Sequence, residues 1–306
     1  MKYIIETITS RDEIEQLGTK EKFWFYDENN TKKLFKIGRP GTGEDWAEKV
    51  TYELAKLLGI PCAQYEFATW EERQGTVTTS FVPKDISLVH GNELLFFVHD
   101  GDYPRDERYH LTDYKLDIVL HLLESQLKEL LLPPGYLGNE FIKHPIDLFI
   151  GYLIFDCWIA NQDRHHENWG ILLDSKEEKW YFAPTYDHAA GLGCKVSEEE
   201  AENRLSTNNR TYSVAHFVTR AKSSFYSDTD KQLKTNEVVG ILADRYPKIV
   251  CYWIDKVENI SEKNIQDILD KIPDNFMKEG SKKFAKQILY ENKLRLLKIR
   301  EEKCHE

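Results

Sequence analysis

Closely spaced cysteine pairs are missing from this sequence. The five it has (Cys62, Cys157, Cys194, Cys251 and Cys304) are odd in number and widely scattered, with no C-x-x-C. Neither a zinc ribbon nor a disulfide framework is therefore expected. Long hydrophobic runs are absent too. The most apolar segment, residues 146–160, is too short to span a bilayer and contains Asp147 and Asp156. The opening Met1-Lys2-Tyr3-Ile4-Ile5-Glu6 has no apolar signal-peptide stretch, so the expectation is a cytoplasmic protein with no membrane partner. An excess of positive charge is missing as well. With 52 acidic against 41 basic side chains the net charge is −11, which argues against direct nucleic-acid binding. There is no G-x-x-x-x-G-K-[ST] loop, no H-E-x-x-H, no internal repeat and no low-complexity tract.

What is present marks a globular chain. Hydrophobic residues make up 41% of 306 positions, with 7 Trp, 16 Tyr and 15 Phe, enough for one large or two moderate cores. The first eighty or so residues read mainly as strands. Phe23-Trp24-Phe25-Tyr26 and Leu34-Phe35-Lys36-Ile37 flank a polar turn, and two more strand-like runs lie near residues 65–69 and 76–82. Between these pairs, residues 44–58 carry Trp46, Val50, Leu54 and Leu57 at helical spacing, and Gly59 stops the helix. Beyond Pro83 helical patterns dominate: 112–132, 145–160, 236–245, 249–257, 264–269 and 282–299. One exception is a hairpin pattern, residues 169–173 and 180–182 around a polar turn. Glu198-Glu199-Glu200 reads as a solvated turn or helix end. The Lys/Arg-rich stretch from residue 282 to 300 reads as a packed helix with a solvated basic face.

Three oxygen-bearing side chains stand out. Asp163 and Asn168 lie five apart in Asn161-Gln162-Asp163-Arg164-His165-His166-Glu167-Asn168, and Asp187 follows the hairpin. Asp-x4-Asn and a later Asp is the spacing with which protein kinases orient a substrate hydroxyl and hold Mg²⁺ against ATP phosphates. Asp and Asn also cap helices and build turns, so the spacing alone is weak; the intervening hairpin strengthens it. Lys36 is the candidate phosphate-contacting lysine, against the plain alternative of an exposed strand lysine beside turn residues Lys32 and Lys33. Glu48 either pairs with that lysine or complements the helix N-terminus, as Glu44 and Asp45 do. A zinc site at His165, His166, His188 and Cys194 is disfavoured by its spacing; His165 is better read as a structural neighbour of Asp163, while Arg164 either pairs with a nearby carboxylate or lies on the surface. A phosphate-cradling glycine loop is not evident: Gly41-Thr42-Gly43 follows the lysine instead of preceding it, and Gly18-Thr19-Lys20 is in place but weak in composition.

The run Asn161 to Asn168 with Trp169-Gly170 resembles the N-x-D-R-H-x-x-N-[FW]-G of the HipA-like serine/threonine kinases, a bacterial family that includes toxin–antitoxin kinases. Ala183-Pro184-Thr185-Tyr186-Asp187 is similar to its P-x-Y-D, Leu34-Phe35-Lys36 to its lysine strand, and Glu48 with Leu54-Ala55-Lys56-Leu57-Leu58-Gly59 to its E-x5-L-A-x3-G helix. Leu88 to Leu95 is also family-like, which places Phe81 to Pro83 near an interlobe hinge. The resemblance implies an α+β, two-lobed protein-kinase-like fold, with residues 1–84 as an ATP-binding lobe and residues 85–306 as a mostly helical catalytic lobe. It implies Asp163 as catalytic Asp, Lys36, Glu48 and Phe81 at the ATP site, and Asn168 and Asp187 as Mg²⁺ ligands. ATP is the implied donor and a protein Ser/Thr hydroxyl the acceptor, with autophosphorylation near Thr19. The lysine strand arrives by residue 36, without the additional N-terminal subdomain of longer members, so antitoxin contacts are not carried over. Two rivals remain open: a small-molecule or lipid phosphotransferase on the same fold, and a non-catalytic nucleotide-binding partner module.

Overall fold

The structure, a computed structural model, describes residues 1–14 and 21–304. The weak loop Gly18-Thr19-Lys20, with its autophosphorylation candidate, lies outside the described residues. The chain opens with β1 (Ile5–Thr7), β2 (Glu13–Ile14), β3 (Lys22–Tyr26), β4 (Lys32–Ile37), helix α1 (Glu44–Leu58), β5 (Tyr65–Trp70) and β6 (Arg73–Thr79). These strands form a six-stranded sheet in the order β1-β5-β6-β4-β3-β2, antiparallel except where β1 runs parallel to β5. In β3, Phe23 and Phe25 point inward and Trp24 outward, the period of two that makes a half-buried strand. The β3–β4 turn is closed by Asp27, whose Oδ1 accepts from the backbone of Asn29 and Thr31 at 2.9 Å each. Lys32 and Lys33, expected in that turn, belong to β4 instead; Lys33 pairs with Glu6 (3.0 Å) and Asp27 (3.3 Å).

Helix α1 follows the predicted bounds. It buries Trp46, Val50, Leu54 and Leu58, and each such side chain contributes about 1.5–3 kcal/mol on burial. Gly59 ends it in the left-handed region (φ 75°), where a side chain is strained. The partner of α1 is the helical part of the molecule as well as the sheet: one continuous apolar core joins Trp46, Val50 and Leu54 to residues of the later helices.

After Phe81 the chain forms β7 (Ser87–His90), α2 (Gly91–Val98), α3 (Leu116–His121) with a π-turn at Leu122–Gln126, α4 (Pro145–Trp158), β8 (Gly170–Asp174) and β9 (Lys179–Phe182). There follow α5 (Glu198–Ser206), α6 (Val214–Val218), β10 (Lys222–Tyr226), β11 (Gln232–Lys234), α7 (Thr235–Arg245), α8 (Pro247–Asn259), α9 (Glu262–Leu269) and α10 (Glu279–Lys303). The hairpin between Asn168 and Asp187 is present as β8–β9, and β7 adds a third strand to it. The helix expected over residues 112–132 is shorter. It widens into the π-turn, and Leu131 then bridges to Tyr181, so the later leucines serve sheet and loop packing.

Two further expectations are corrected. Cys251 of α8 and Cys304 after α10 form a disulfide, which distance in sequence concealed. The basic face of α10 is not wholly solvated either: Lys282 is buried, its Nζ held by Asp274 Oδ1 (2.9 Å) and the Ile272 carbonyl (3.3 Å). The acidic run at 198–200 is the first turn of α5, capped by Ser197, and Glu198 accepts from the backbone of Gly280 and Ser281 to cap α10 in turn. Among the described residues no helix is long and apolar enough to cross a membrane.

Candidate active site

Helix α4 is apolar on almost every side, so its one late charge, Asp156, lies buried. A buried carboxylate needs partners, and the following loop supplies them. The chain turns at Ala160 (φ 54°), which lets Asn161 Nδ2 donate to Asp156 Oδ1 at 2.8 Å. Arg164, itself buried, then reaches back with its fork: Nε to Asp156 Oδ2 at 2.7 Å and Nη2 to Oδ1 at 2.8 Å. Its remaining hydrogens tie the site together. Nη1 donates to the Asn168 carbonyl (2.7 Å) and to the Tyr186 carbonyl (3.4 Å), and Nη2 to His188 Nε2 (3.1 Å). One guanidinium thus fixes the backbone at both ends of the hairpin that separates Asn168 from Asp187.

Asn168 Nδ2 donates to the Asp163 carbonyl at 2.6 Å, closing the loop across the five-residue spacing. Lys36 comes from the sheet. Its Nζ lies 3.1 Å from Glu48 Oε1 and 3.6 Å from Asp187 Oδ1. Glu48 Oε2 in turn accepts from the His188 backbone at 3.1 Å, and the Asp187 backbone donates to the Tyr65 hydroxyl at 3.1 Å. So Lys36, Glu48 and Asp187 meet, and Asp163 and Asn168 are joined to them through Arg164. The Lys36 and Glu48 side chains are 9% and 1% exposed, whereas those of Asp163 and Asp187 remain 32% exposed, so the two aspartates keep access to solvent. Phe81 stacks on Tyr186 with ring centroids 5.3 Å apart, beside the same segment.

No family model matches the chain. Over 261 residues, 83% of this chain and 71% of the relative, it is 25% identical to serine/threonine-protein kinase CtkA of Helicobacter pylori. Its fold matches the crystal structure of a Helicobacter pylori proinflammatory kinase CtkA with a TM-score of 0.77 at 19% identity, covering 99% of this chain and 98% of that one. HipA from Shewanella oneidensis, solved in a toxin–antitoxin complex with HipB and operator DNA, matches with a TM-score of 0.58 at 12% identity over 96% of this chain and 68% of its own. The chain therefore shares the fold of the CtkA and HipA kinases, and its sequence is similar to that of a serine/threonine kinase.

Electrostatics at the site follow from burial. Burial works against the Lys36 ammonium, but the carboxylates of Asp187 and Glu48 outweigh it and hold its pKa well above the ordinary lysine value. Lys36 is therefore a fixed cation. Burial pushes His165 and His166 down to about 4 each, so both are neutral near pH 7. His188 is pushed well below the usual histidine value by burial and then by Arg164. Arg164 and Thr185 (2.8 Å) both donate to His188 Nε2, which puts its proton on Nδ1. His166 Nδ1 is bonded to the Tyr103 hydroxyl (2.8 Å), Cys194 Sγ donates to the Ala189 carbonyl (2.9 Å), and among the described residues no group of three His, Cys, Asp or Glu could hold a metal ion. The carboxylate of Asp187 and the amide oxygen of Asn168 are hard donors that fit Mg²⁺, and the Asn168 amide nitrogen is already engaged with the Asp163 carbonyl.

Sequence reasoning missed the segment between α2 and α3. Tyr103 meets His166, Tyr109 lies edge-on to His165 at 5.9 Å, and Trp169 Nε1 donates to the Tyr114 hydroxyl at 2.9 Å. Arg108 pairs with Glu167 at 2.6 Å. Three tyrosines and an arginine thus brace the loop that carries Asp163. No local pattern announces them, because they act across about fifty residues of chain. Gly91 did carry a readable signal in its type: a Cβ there would sit 2.3 Å from the Trp169 ring and 2.6 Å from the His166 carbonyl, so only glycine lets α2 approach. The partner of Arg164 was also legible, since an Asp late in an apolar helix demands a cation.

Proposed function

We propose that this protein is an ATP-dependent serine/threonine protein kinase of HipA-like type, transferring the γ-phosphate of ATP to a protein hydroxyl. The observation that carries the assignment is the meeting of Lys36 with Glu48 (3.1 Å) and Asp187 (3.6 Å), three residues from separate parts of the chain. Lys36, kept charged by its two carboxylates, contacts the ATP phosphates, and Glu48 holds it in place. Phe81 flanks the nucleotide at the crossing between a lobe of residues 1–84 and a lobe of residues 85–306. Asp163 faces the acceptor, orients its hydroxyl and takes its proton. Asn168 and Asp187 would hold Mg²⁺, which when bound neutralises charge on the phosphates. Arg164 keeps the Asn168 and Tyr186 carbonyls fixed, so both side chains are presented without reorganisation. The acceptor is a protein. An antitoxin-type partner is supported only by the likeness to HipA.

The test is transfer of radiolabel from γ-labelled ATP to a generic protein acceptor and to the protein itself. Asp163→Ala and Asp187→Ala are each expected to remove transfer while the circular-dichroism spectrum stays unchanged. Transfer retained by both variants overturns the assignment.

A further inference from the structure

Residues 203–227 contain no Asp or Glu, yet they hold Arg204, Arg210, Arg220 and Lys222, in a chain with 52 acidic and 41 basic residues. Arg204 pairs with Glu200 at 2.8 Å and lies over the rings of Tyr212 (4.3 Å) and Phe217 (5.1 Å), which ties the segment together. Arg210, Arg220 and Lys222 are exposed, and among the described residues none of them is in an ion pair. Their position gives them meaning. The Lys222 backbone donates to Gln162 Oε1 at 3.2 Å, and Ser224 Oγ donates to the Gln162 carbonyl at 3.3 Å. Gln162 is exposed and immediately precedes Asp163. With about 3.8 Å between consecutive Cα atoms, the Lys222 main chain lies roughly 10 Å from Asp163.

We propose that this basic segment docks the acceptor chain, and that the enzyme prefers a Ser or Thr flanked by acidic residues; the inference rests on the kinase assignment above. An exposed cation at Lys222, with exposed Arg220 two residues before it, attracts an acidic segment passing Asp163 and fixes its register, while the net charge of −11 repels long polyanions. That balance favours a short acidic peptide over nucleic acid. The Lys222 contact to Gln162 uses the backbone, so its side chain is replaceable without loosening the loop.

Three peptides sharing one central Ser, flanked by Glu, Ala or Lys, decide the matter with wild type and with Arg220→Glu/Lys222→Glu. Wild type is expected to use the Glu peptide about tenfold better in kcat/KM than the Ala peptide, the size of two exposed charge pairs. The double variant should lose that ratio, prefer the Lys peptide, and keep the wild-type KM for ATP. The wild-type ratio should shrink between 50 and 300 mM salt. Equal use of Glu and Ala peptides by wild type, or an unchanged ratio in the variant, overturns the proposal while leaving the kinase assignment intact. Binding of a fluorescent single-stranded oligonucleotide that the double variant loses, without any peptide preference, overturns it in favour of nucleic acid. No transfer to any peptide or to casein brings both down.

Discussion

Replacing Arg164 by Met tests the buried network most directly. The substitution keeps most of the stem volume and removes the fork. Asp156, its side chain 5% exposed, then keeps only the Asn161 amide, and the Asn168 carbonyl loses its 2.7 Å donor. Removing one member of a buried pair costs about 3–5 kcal/mol, and an orphaned buried carbonyl adds roughly 1–3 kcal/mol. The expected loss is therefore about 4–8 kcal/mol, a large share of the 5–15 kcal/mol that roughly bounds folded proteins. Urea unfolding followed by tryptophan fluorescence measures it. The companion Asp156→Leu/Arg164→Met removes both charges and should recover several kcal/mol, because an apolar pair of similar volume carries no stranded ion. Transfer activity should stay low in that double variant, since the carbonyls beside Asn168 and Asp187 remain untied. If Arg164→Met stays within about 1 kcal/mol of wild type, a threshold near the usual effect of one mutation, or if the double variant is no more stable than the single, the reasoning fails.

Three further outcomes are expected. Lys36→Met should lower γ-phosphate transfer by at least about a hundredfold, the scale of removing a preorganised charge contact; activity above a tenth of wild type would refute its phosphate role. His165 and His166 have pKa values of about 4 when folded against about 6.5 when unfolded. The unfolded chain binds their protons first, so stability should fall as pH drops from about 6.5 toward 4, and urea midpoints that do not move across that window would contradict the buried, neutral assignment. Reducing the Cys251–Cys304 bond, which spans 53 residues, should lower unfolding free energy by up to about 4 kcal/mol in the chain-entropy model; five titratable thiols in the unreduced, denatured protein would show that the bond is not there.

Local chemistry is what could be read early. Helix α1, with its apolar spacing and its glycine stop, follows the expected bounds, as does the β8–β9 hairpin, because period and turn residues act within a few positions. The motif residues Asp163, Asn168 and Asp187 were visible for the same reason. The shortened helix at 116–121 was not, since the apolar residues beyond it satisfy loop and sheet packing instead of one helical face. The Cys251–Cys304 bond joins residues far apart in sequence, and such proximity has no local trace.

From the sequence alone came the list of chemical groups: two aspartates and an asparagine at kinase spacing, a strand lysine, a helical glutamate. A plain structural alternative stood beside each, because an Asp that caps a turn and an Asp that holds a metal look alike in one dimension. Tertiary structure brought these groups together. It carried Lys36 to Glu48 and Asp187 across the lobes, and it buried Arg164 against Asp156 so that one guanidinium holds both ends of the hairpin. Charge placed in a low-dielectric interior must find its partner, and that requirement, acting over distances the sequence does not encode locally, turned a spacing into a site.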